Sequence, residues 1–176
     1  NEWLVTFETV NDTTQQTVVL QDEESRDLEF DMADFSVPDD HRIGYIEVRI
    51  VGEESAGLLS GNQCDSIAGD IVRNELTAQW DDPSNNLSGQ DSSCIPIDLR
   101  LSVYPEFDGE DRTVQSINEY QALMDWTEEG WGEGFLVLTL ELDTNSNTPV
   151  LGVDDDEEIT IDINVVMFRA SVEAID

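Results

Sequence analysis

Residues 95–104 read IPIDLRLSVY, and this stretch decides the fold class. Every second residue from Ile95 to Val103 is apolar, and the residues between them are mostly polar. A helix would spread these apolar side chains around its axis, whereas a strand collects them on one face. The stretch therefore predicts a β-strand with one buried side and one solvent-facing side.

The same alternation recurs along the rest of the chain. It predicts further strands at residues 3–7, 18–20, 28–32, 45–51, 76–80, 136–142 and 159–167, while residues 66–73 remain ambiguous. About eight strands joined by turns of Asp, Asn, Gly and Pro are typical of two antiparallel sheets that share one core. We expect an all-β antiparallel sandwich of jelly-roll or immunoglobulin-like topology, and the sequence does not choose between these two.

One short helix is expected near residues 116–126. Ser116 and Glu119 have the spacing of a capping box, and Tyr120, Leu123 and Met124 would then share one helix face. No linker or repeat interrupts the chain, so we read residues 1–176 as a single sandwich domain.

The charge balance bears on habitat and partners. The chain has 41 Asp plus Glu residues against 7 basic residues, all of them Arg, for a net charge of -34. Such a surface repels itself unless salt screens it, and at about 1 M salt the Debye length falls to about 3 Å. We therefore expect a salt-rich setting. The lack of a basic stripe predicts no nucleic-acid partner, and no apolar run approaches the roughly 20 residues of a membrane span.

The two cysteines, Cys64 and Cys94, form no metal-binding or redox motif. A disulfide between them would close a loop of about 30 residues and add about 3–4 kcal/mol of stability, the alternative being two buried free thiols. A disulfide indicates an oxidising space, so we expect an extracellular or cell-surface location. Asn11 and Asn86 begin N-glycosylation sequons in predicted turns, which favours the same location.

Two acidic clusters are candidate calcium sites. Asp108 and Asp111 belong to one turn, and Asp154 and Asp156 belong to the run that precedes the last strand. Calcium takes six to eight oxygen ligands, often from loops, so either cluster can supply part of a site. The alternative is that both clusters are solvated turns.

The sequence offers little for catalysis. His41 is the only histidine, and no Gly-x-Ser-x-Gly elbow supplies a nucleophile, so we predict that the chain is not an enzyme. Trp126 and Trp131 alternate with acids and glycines, which predicts either a glycan-stacking platform or aromatic side chains that close one end of the sandwich.

The last strand is apolar on both faces between Val165 and Phe168. Such a strand is either covered within the chain or paired with another subunit. Together with the strand that opens the chain, it predicts assembly through Trp3, Val5, Phe7, Val166 and Phe168. The alternative is a helix or loop that lies over Val166 and Phe168.

Several stretches resemble secreted β-sandwich domains of archaeal cell-surface or pilin-like filament proteins from marine and halophilic lineages. These stretches are residues 2–7, 64–67, 74–80 and 126–131, and the acidic run before Ile159. The resemblance implies an exported structural role and carries no catalytic residues. Because no apolar helix precedes Glu2, we expect any filament to use β-strand contacts.

The leading hypothesis is a non-enzymatic subunit of an extracellular filament, sheath or surface layer that associates with itself through β-strands. The first alternative is a jelly-roll capsid or spike protein of a virus. The second alternative is a calcium-dependent carbohydrate-binding module.

Overall fold

The computed structural model describes residues 1–53, 64–143 and 156–175. These residues form nine strands: β1 (Glu2–Gln21), β2 (Ser25–Asp31), β3 (Arg42–Glu53), β4 (Ser66–Ile71), β5 (Ser88–Asp91), β6 (Ile97–Ser102), β7 (Arg112–Gln115), β8 (Phe135–Asp143) and β9 (Asp156–Ile175). One short helix, α1 (Glu119–Leu123), and 3-10 turns at Met32–Asp34 and Met124–Trp126 complete the described elements.

The strands form two antiparallel sheets. The first sheet has the order β6-β3-β9-β1-β7, and the second has the order β2-β8-β4-β5. The pairs β1–β9, β2–β8, β3–β6 and β4–β5 are nested, as in one long hairpin that has been wound into a sandwich. This winding is the jelly roll, so the predicted all-β sandwich is confirmed and its topology is decided.

The core lies between the two sheets. On β9 the residues Ile159, Ile161, Ile163 and Val165 point inward, and they share the core with the even-numbered leucines of β8, from Leu136 to Leu142. The alternation that predicted these strands therefore coincides with the buried face. Leu99 and Leu101 of β6, from the opening stretch, are buried in the same cluster.

The two terminal strands pair with each other inside the chain. β1 runs antiparallel to β9 over its whole length without a register shift, and β3 pairs with the other side of β9. Val166 and Phe168 are buried, and Phe168 is only 1% exposed. The covered-strand alternative therefore describes these two residues, because β1 and β3 occupy both edges of β9 from Glu158 to Phe168.

The cover over Phe168 comes from residues 104–134, which link β6 to β8 and which we call the insert. The insert contains β7 and α1, and it lies across the outer face of the first sheet, opposite the main core. Its packing forms a second, smaller apolar cluster around Val5, Tyr104, Trp126 and Phe168. The described residues contain no helix that is long and apolar enough to cross a membrane.

The helix forms where it was predicted, but its N-cap residue differs from the predicted one. Asn118 is the N-cap, and its side chain accepts from the backbone N–H of Gln121, while the Ser116 hydroxyl donates to the Asn118 carbonyl. Ala122 is the buried helical residue, and Tyr120 is exposed. The capping box proposed from spacing was therefore wrong, and two residues of the predicted shared face, Tyr120 and Met124, are exposed.

Two further expectations are corrected. Residues 76–80 form a turn rather than a strand, with one isolated bridge between Leu76 and Gly134. Leu76 and Trp80 are nevertheless buried, because the Trp80 Nε1 donates to the Leu76 carbonyl at 2.9 Å and folds the turn onto the core. Asn11 lies within β1 and not in a turn, since β1 continues through the polar residues 11–17.

Candidate assembly surface

Aromatic packing holds the insert on the first sheet. Phe107 stacks on Phe168 with ring centroids 4.1 Å apart, and Phe7 meets Phe107 and Trp126 edge to face at 5.2 Å and 5.5 Å. Such pairs stabilise by about 0.5–1.5 kcal/mol each beyond the area they bury. Phe107 also requires Gly44 beneath it, because a Cβ on residue 44 would lie 2.5 Å from its ring.

Hydrogen bonds within the insert hold its first residues against residues 125–128. The Tyr104 hydroxyl donates to the Asp125 carbonyl at 3.0 Å and accepts from the Glu128 N–H at 3.1 Å, and burial raises the pKa of Tyr104. The Trp126 Nε1 donates to the Glu106 carbonyl at 2.9 Å. These bonds join residues 104–106 to residues 125–128 and close the insert on itself.

One face of α1 and its flanks is apolar and exposed. Ile117 is 77% exposed, Tyr120 is 75% exposed and Met124 is 49% exposed, and we call these three residues the helical patch. Tyr120 and Met124 are four residues apart and lie on one side of the helical turns, whereas Ile117 precedes the extended N-cap residue Asn118. The sequence placed Tyr120, Leu123 and Met124 on one helix face but did not include Ile117, and periodicity alone does not show which side of a helix meets the core.

The two tryptophans do not form a glycan platform. Trp126 is 5% exposed and packs against Phe7, so its ring offers no free face to a sugar. Trp131 is half-buried beside Tyr104, and its Nε1 is buried without a hydrogen-bond partner in the described structure. Trp126 packs instead in the apolar cluster on the outer face of the first sheet, rather than closing one end of the sandwich as the alternative from sequence expected.

The acidic clusters lie far apart. Asp108 forms an ion pair with Arg112, which lies opposite Val5 near one end of the β1–β9 pair. Val5 pairs with Val172, and Asp156 at the start of β9 lies roughly 50 Å from Val172 along the strand, at about 3.3 Å per residue. The N–H of Glu110 and then Arg112 hold the pKa of Asp108 below its usual value. Asp154 lies outside the described residues. Within the described ranges no three His, Cys, Asp or Glu side chains form a metal-binding group, and calcium stays a prediction.

All seven arginines lie in the described part of the chain and are engaged with it. Arg26, Arg49, Arg73, Arg112 and Arg169 form ion pairs with carboxylates. Arg42 donates to the carbonyls of Thr127 and Glu128, and Arg100 lies 3.7 Å above the ring of Tyr45. The surface therefore presents no cluster of unpaired cations to a phosphate backbone.

The remaining predicted residues occupy separate places. Cys64 and Cys94 are joined by a disulfide that links the start of β4 to the segment before β6. Asn11 is exposed on β1, and the Asn86 side chain donates to the Asp98 carbonyl at 2.7 Å. The His41 ring contacts the Asp39 carbonyl through Nδ1 at 2.8 Å. Glycosylation at Asn11 and Asn86 stays a prediction.

Comparison with known proteins identifies the architecture. No protein-family model matches the chain, and no curated protein matches its sequence. Among solved structures it is similar to the decameric BFDV capsid protein, with a TM-score of 0.50 and 11% identity over 93% of this chain and 99% of that chain. The likeness shows the fold.

Two further structures are similar at lower scores. Mud crab tombus-like virus matches with a TM-score of 0.46 and 12% identity, over 97% of this chain and 83% of that chain. A semi-empty virus-like particle of Macrobrachium rosenbergii nodavirus matches with a TM-score of 0.47 and 12% identity, over 98% and 97%. None of these matches supports the resemblance to archaeal surface proteins beyond its β-sandwich.

Proposed function

We propose that this chain is a non-enzymatic structural subunit that assembles with copies of itself into a coat, in the manner of jelly-roll capsid proteins. The observation that carries the proposal is the match to the BFDV capsid protein over 93% of this chain and 99% of that chain. The match therefore spans nearly the whole of both chains and not only a shared core. This favours the capsid alternative over the filament, sheath or surface layer.

The helical patch supports self-association. Its three side chains are uncovered on a chain with a net charge of -34, where an apolar patch carries a solubility cost unless it is a contact surface. Burying one side chain of this size contributes about 1.5–3 kcal/mol. We propose that a neighbouring subunit covers the helical patch, because the insert presents this patch at the outer face of the first sheet.

The engaged arginines also bear on whether such a coat binds nucleic acid. Since every arginine is engaged with the chain's own groups, this jelly roll has no spare cation for nucleic acid. A coat built from it would hold any genome through other segments or other proteins. We also propose an extracellular location and calcium binding at Asp108 and Asp111.

The test is assembly of the purified chain. Light scattering and negative-stain electron microscopy are compared at about 0.1 M and about 1 M NaCl, because the Debye length falls from about 10 Å to about 3 Å over that range. We expect closed rings or shells at high salt. Open filaments would instead favour the sequence-based filament hypothesis, and a monomer under every condition would overturn both.

A variant tests the helical patch within the same experiment. Tyr120→Ser removes an exposed ring that the core does not use, so folding should be unchanged while assembly needs more protein or more salt. Thr113→Ser, at an exposed residue of β7, is the matched control and should assemble like the parent chain. Equal assembly of both variants would exclude the patch from the contacts.

A further inference from the structure

One edge of β1 is free for most of its length. β9 pairs with one side of β1 from Glu2 to Gln21, whereas β7 pairs with the other side only from Glu2 to Val5. Across the described ranges no other strand pairs with the backbone from Thr6 to Leu20 on that second side. Residues 13–17 are exposed on both faces, so the sandwich does not cover this edge from above or below.

This edge lacks the protection that the other sheet edges have. Natural edge strands are kept apart by charges, prolines, bulges or short length. The edge strand β2 carries Asp27, Glu29 and Asp31, and the edge strands β5 and β7 are only four residues long. The edge of β6 is partly covered, because the backbone of Asn86 pairs with that of Arg100. β1 from Thr6 to Leu20 has no Pro and no Gly, and its pairing with β9 shows no bulge.

The charge of the edge indicates which partner it fits. Acids make up 41 of the 176 residues, yet the edge from Thr6 to Leu20 has only two, Glu8, which forms an ion pair with Arg169, and Asp12. The Asp12 carboxylate is already occupied, because it accepts from the Ser36 N–H at 2.8 Å. Two copies with a net charge of -34 each can approach along this stretch without facing like charges, so a second copy of this chain fits the edge.

We propose that β1 pairs antiparallel with β1 of a second copy, about a two-fold axis near Thr13, so that their first sheets become one continuous sheet. This interface rests on the self-assembly proposed above and names one of its contacts. With the axis at Thr13, Thr6 lies opposite Leu20 of the second copy, so the pairing uses the whole free edge. β7 pairs with β1 only as far as Val5 and therefore does not block it. Two-fold interfaces of this kind are self-complementary.

The pairing brings compatible side chains together on both faces. On the outer face Thr9 meets Thr17, Asn11 meets Gln15 and Thr13 meets its own copy. On the inner face Asp12 meets Thr14 of the second copy, so no acid faces an acid. Threonine and amide side chains pair well across strands, and the backbone supplies the hydrogen bonds.

Cross-linking tests the axis directly. Residues opposite each other on antiparallel strands have Cα atoms about 4.5–5.5 Å apart, within the range that a disulfide spans. Thr13→Cys should therefore form disulfide-linked dimers under mild oxidation, seen on non-reducing gels. Thr113→Cys, an exposed strand position on β7, is the control and should remain mostly monomeric. Equal cross-linking of both variants, or none at residue 13, would overturn the proposal.

Charge exchange at the same residue gives a second test. Thr13→Glu and Thr13→Lys each place two like charges across the axis, so each should weaken the dimer at least about tenfold in sedimentation experiments. An equimolar mixture should recover a mixed dimer, because Glu then faces Lys. Unchanged thermal unfolding of each variant would show that the monomer is intact. Failure of the mixture to recover dimers would count against a two-fold axis at Thr13.

The outcomes separate this interface from the proposed function. Coats or rings that form without cross-linking at residue 13 would remove the β1 interface and leave the proposed function standing. Cross-linked dimers that never grow larger would keep the interface and remove the coat. A glycan attached to Asn11 on the natural protein would also overturn the interface, because it would occupy the edge.

Discussion

At the scale of single residues, carboxylates organise turns in this chain as well as charging its surface. Asp82 accepts from the Ser84 backbone N–H at 2.9 Å and from the Ser84 hydroxyl at 2.8 Å. The backbone N–H and then the hydroxyl lower the pKa of Asp82 below its ordinary value of 3.8. The folded state therefore prefers the ionised form, and the free energy of unfolding gains from this preference above pH 3.8.

We predict that the stability difference between the parent chain and Asp82→Asn depends on pH in one direction. The difference should be largest near pH 6 (about two units above the ordinary pKa) and should shrink as the pH falls through 3.8 towards the lowered folded value. Urea denaturation at several pH values measures it. Asp70→Asn, at an exposed strand carboxylate, controls for the loss of one negative charge. A difference that grows in acid would contradict the prediction.

At the scale of elements, a glycine joins the insert to the second sheet. Gly134 has φ +123°, and a Cβ there would lie 2.5 Å from the Glu75 carbonyl oxygen. Its own carbonyl accepts from the Met32 N–H at 3.0 Å. The obstacle is backbone and cannot turn aside as a side chain would, so the position requires glycine.

We predict that Gly134→Ala lowers the free energy of unfolding by about 3 kcal/mol or more, as expected for a strained backbone combined with a clash. Gly109→Ala is the matched control, because Gly109 has φ +83° but nothing within 4 Å of the added Cβ. It should cost only about 1–2 kcal/mol for the left-handed conformation. Chemical denaturation of both variants makes the comparison, and equal losses would contradict the role given to Glu75.

The disulfide joins segments next to two strands that belong to different sheets. Cys64 and Cys94 are 30 residues apart, and their bond ties the start of β4 to the segment before β6. We predict that replacing both with Ser costs about 3–4 kcal/mol in urea denaturation, because the unfolded chain regains the freedom of that loop. Reducing the parent chain should cause the same loss and should leave the variant unchanged. A variant as stable as the parent would show that the loop is held by its other contacts.

Elements also show how far sequence reasoning extends. Long alternating strands such as β6, β8 and β9 were predicted because burial on one face leaves a period of two. β5 and β7 were missed since they are four residues long and mostly polar, and they depend on neighbouring strands for their pairing. Leu76 and Trp80 mimicked a strand, because a turn can also place alternate side chains in a core.

The candidate site was less predictable than the fold. The sequence marked β1 and β9 as assembly strands, but it could not show that they pair with each other, or that within the described ranges one edge of β1 has no partner strand beyond Val5. Which edge stays open depends on where β7 ends, and this is a long-range property of the sheet. The helical patch was visible as a periodic face, yet its exposure depends on how the insert packs.

At the scale of the whole molecule, charge opposes both folding and assembly. The net charge is -34, and the few arginines are spent on local contacts. We predict that raising NaCl from about 0.1 M to about 1 M increases the stability by about 2 kcal/mol, which for a chain of this size is a rise in melting temperature of about 4–8 °C. Differential scanning calorimetry measures the shift, and a melting temperature independent of salt would contradict it.

Calcium separates screening from specific binding in the same experiment. If screening alone stabilises the chain, CaCl2 and MgCl2 at equal ionic strength should raise the melting temperature equally. A larger effect of calcium in the low millimolar range would support the predicted sites, and Asp111→Asn would then locate the effect. Asp111 is suited to this test because it is exposed and, unlike Asp108, makes no ion pair with Arg112. Calcium binds through several carboxylates at once, so loss of one ligand should remove most of a specific effect and leave the screening effect in place.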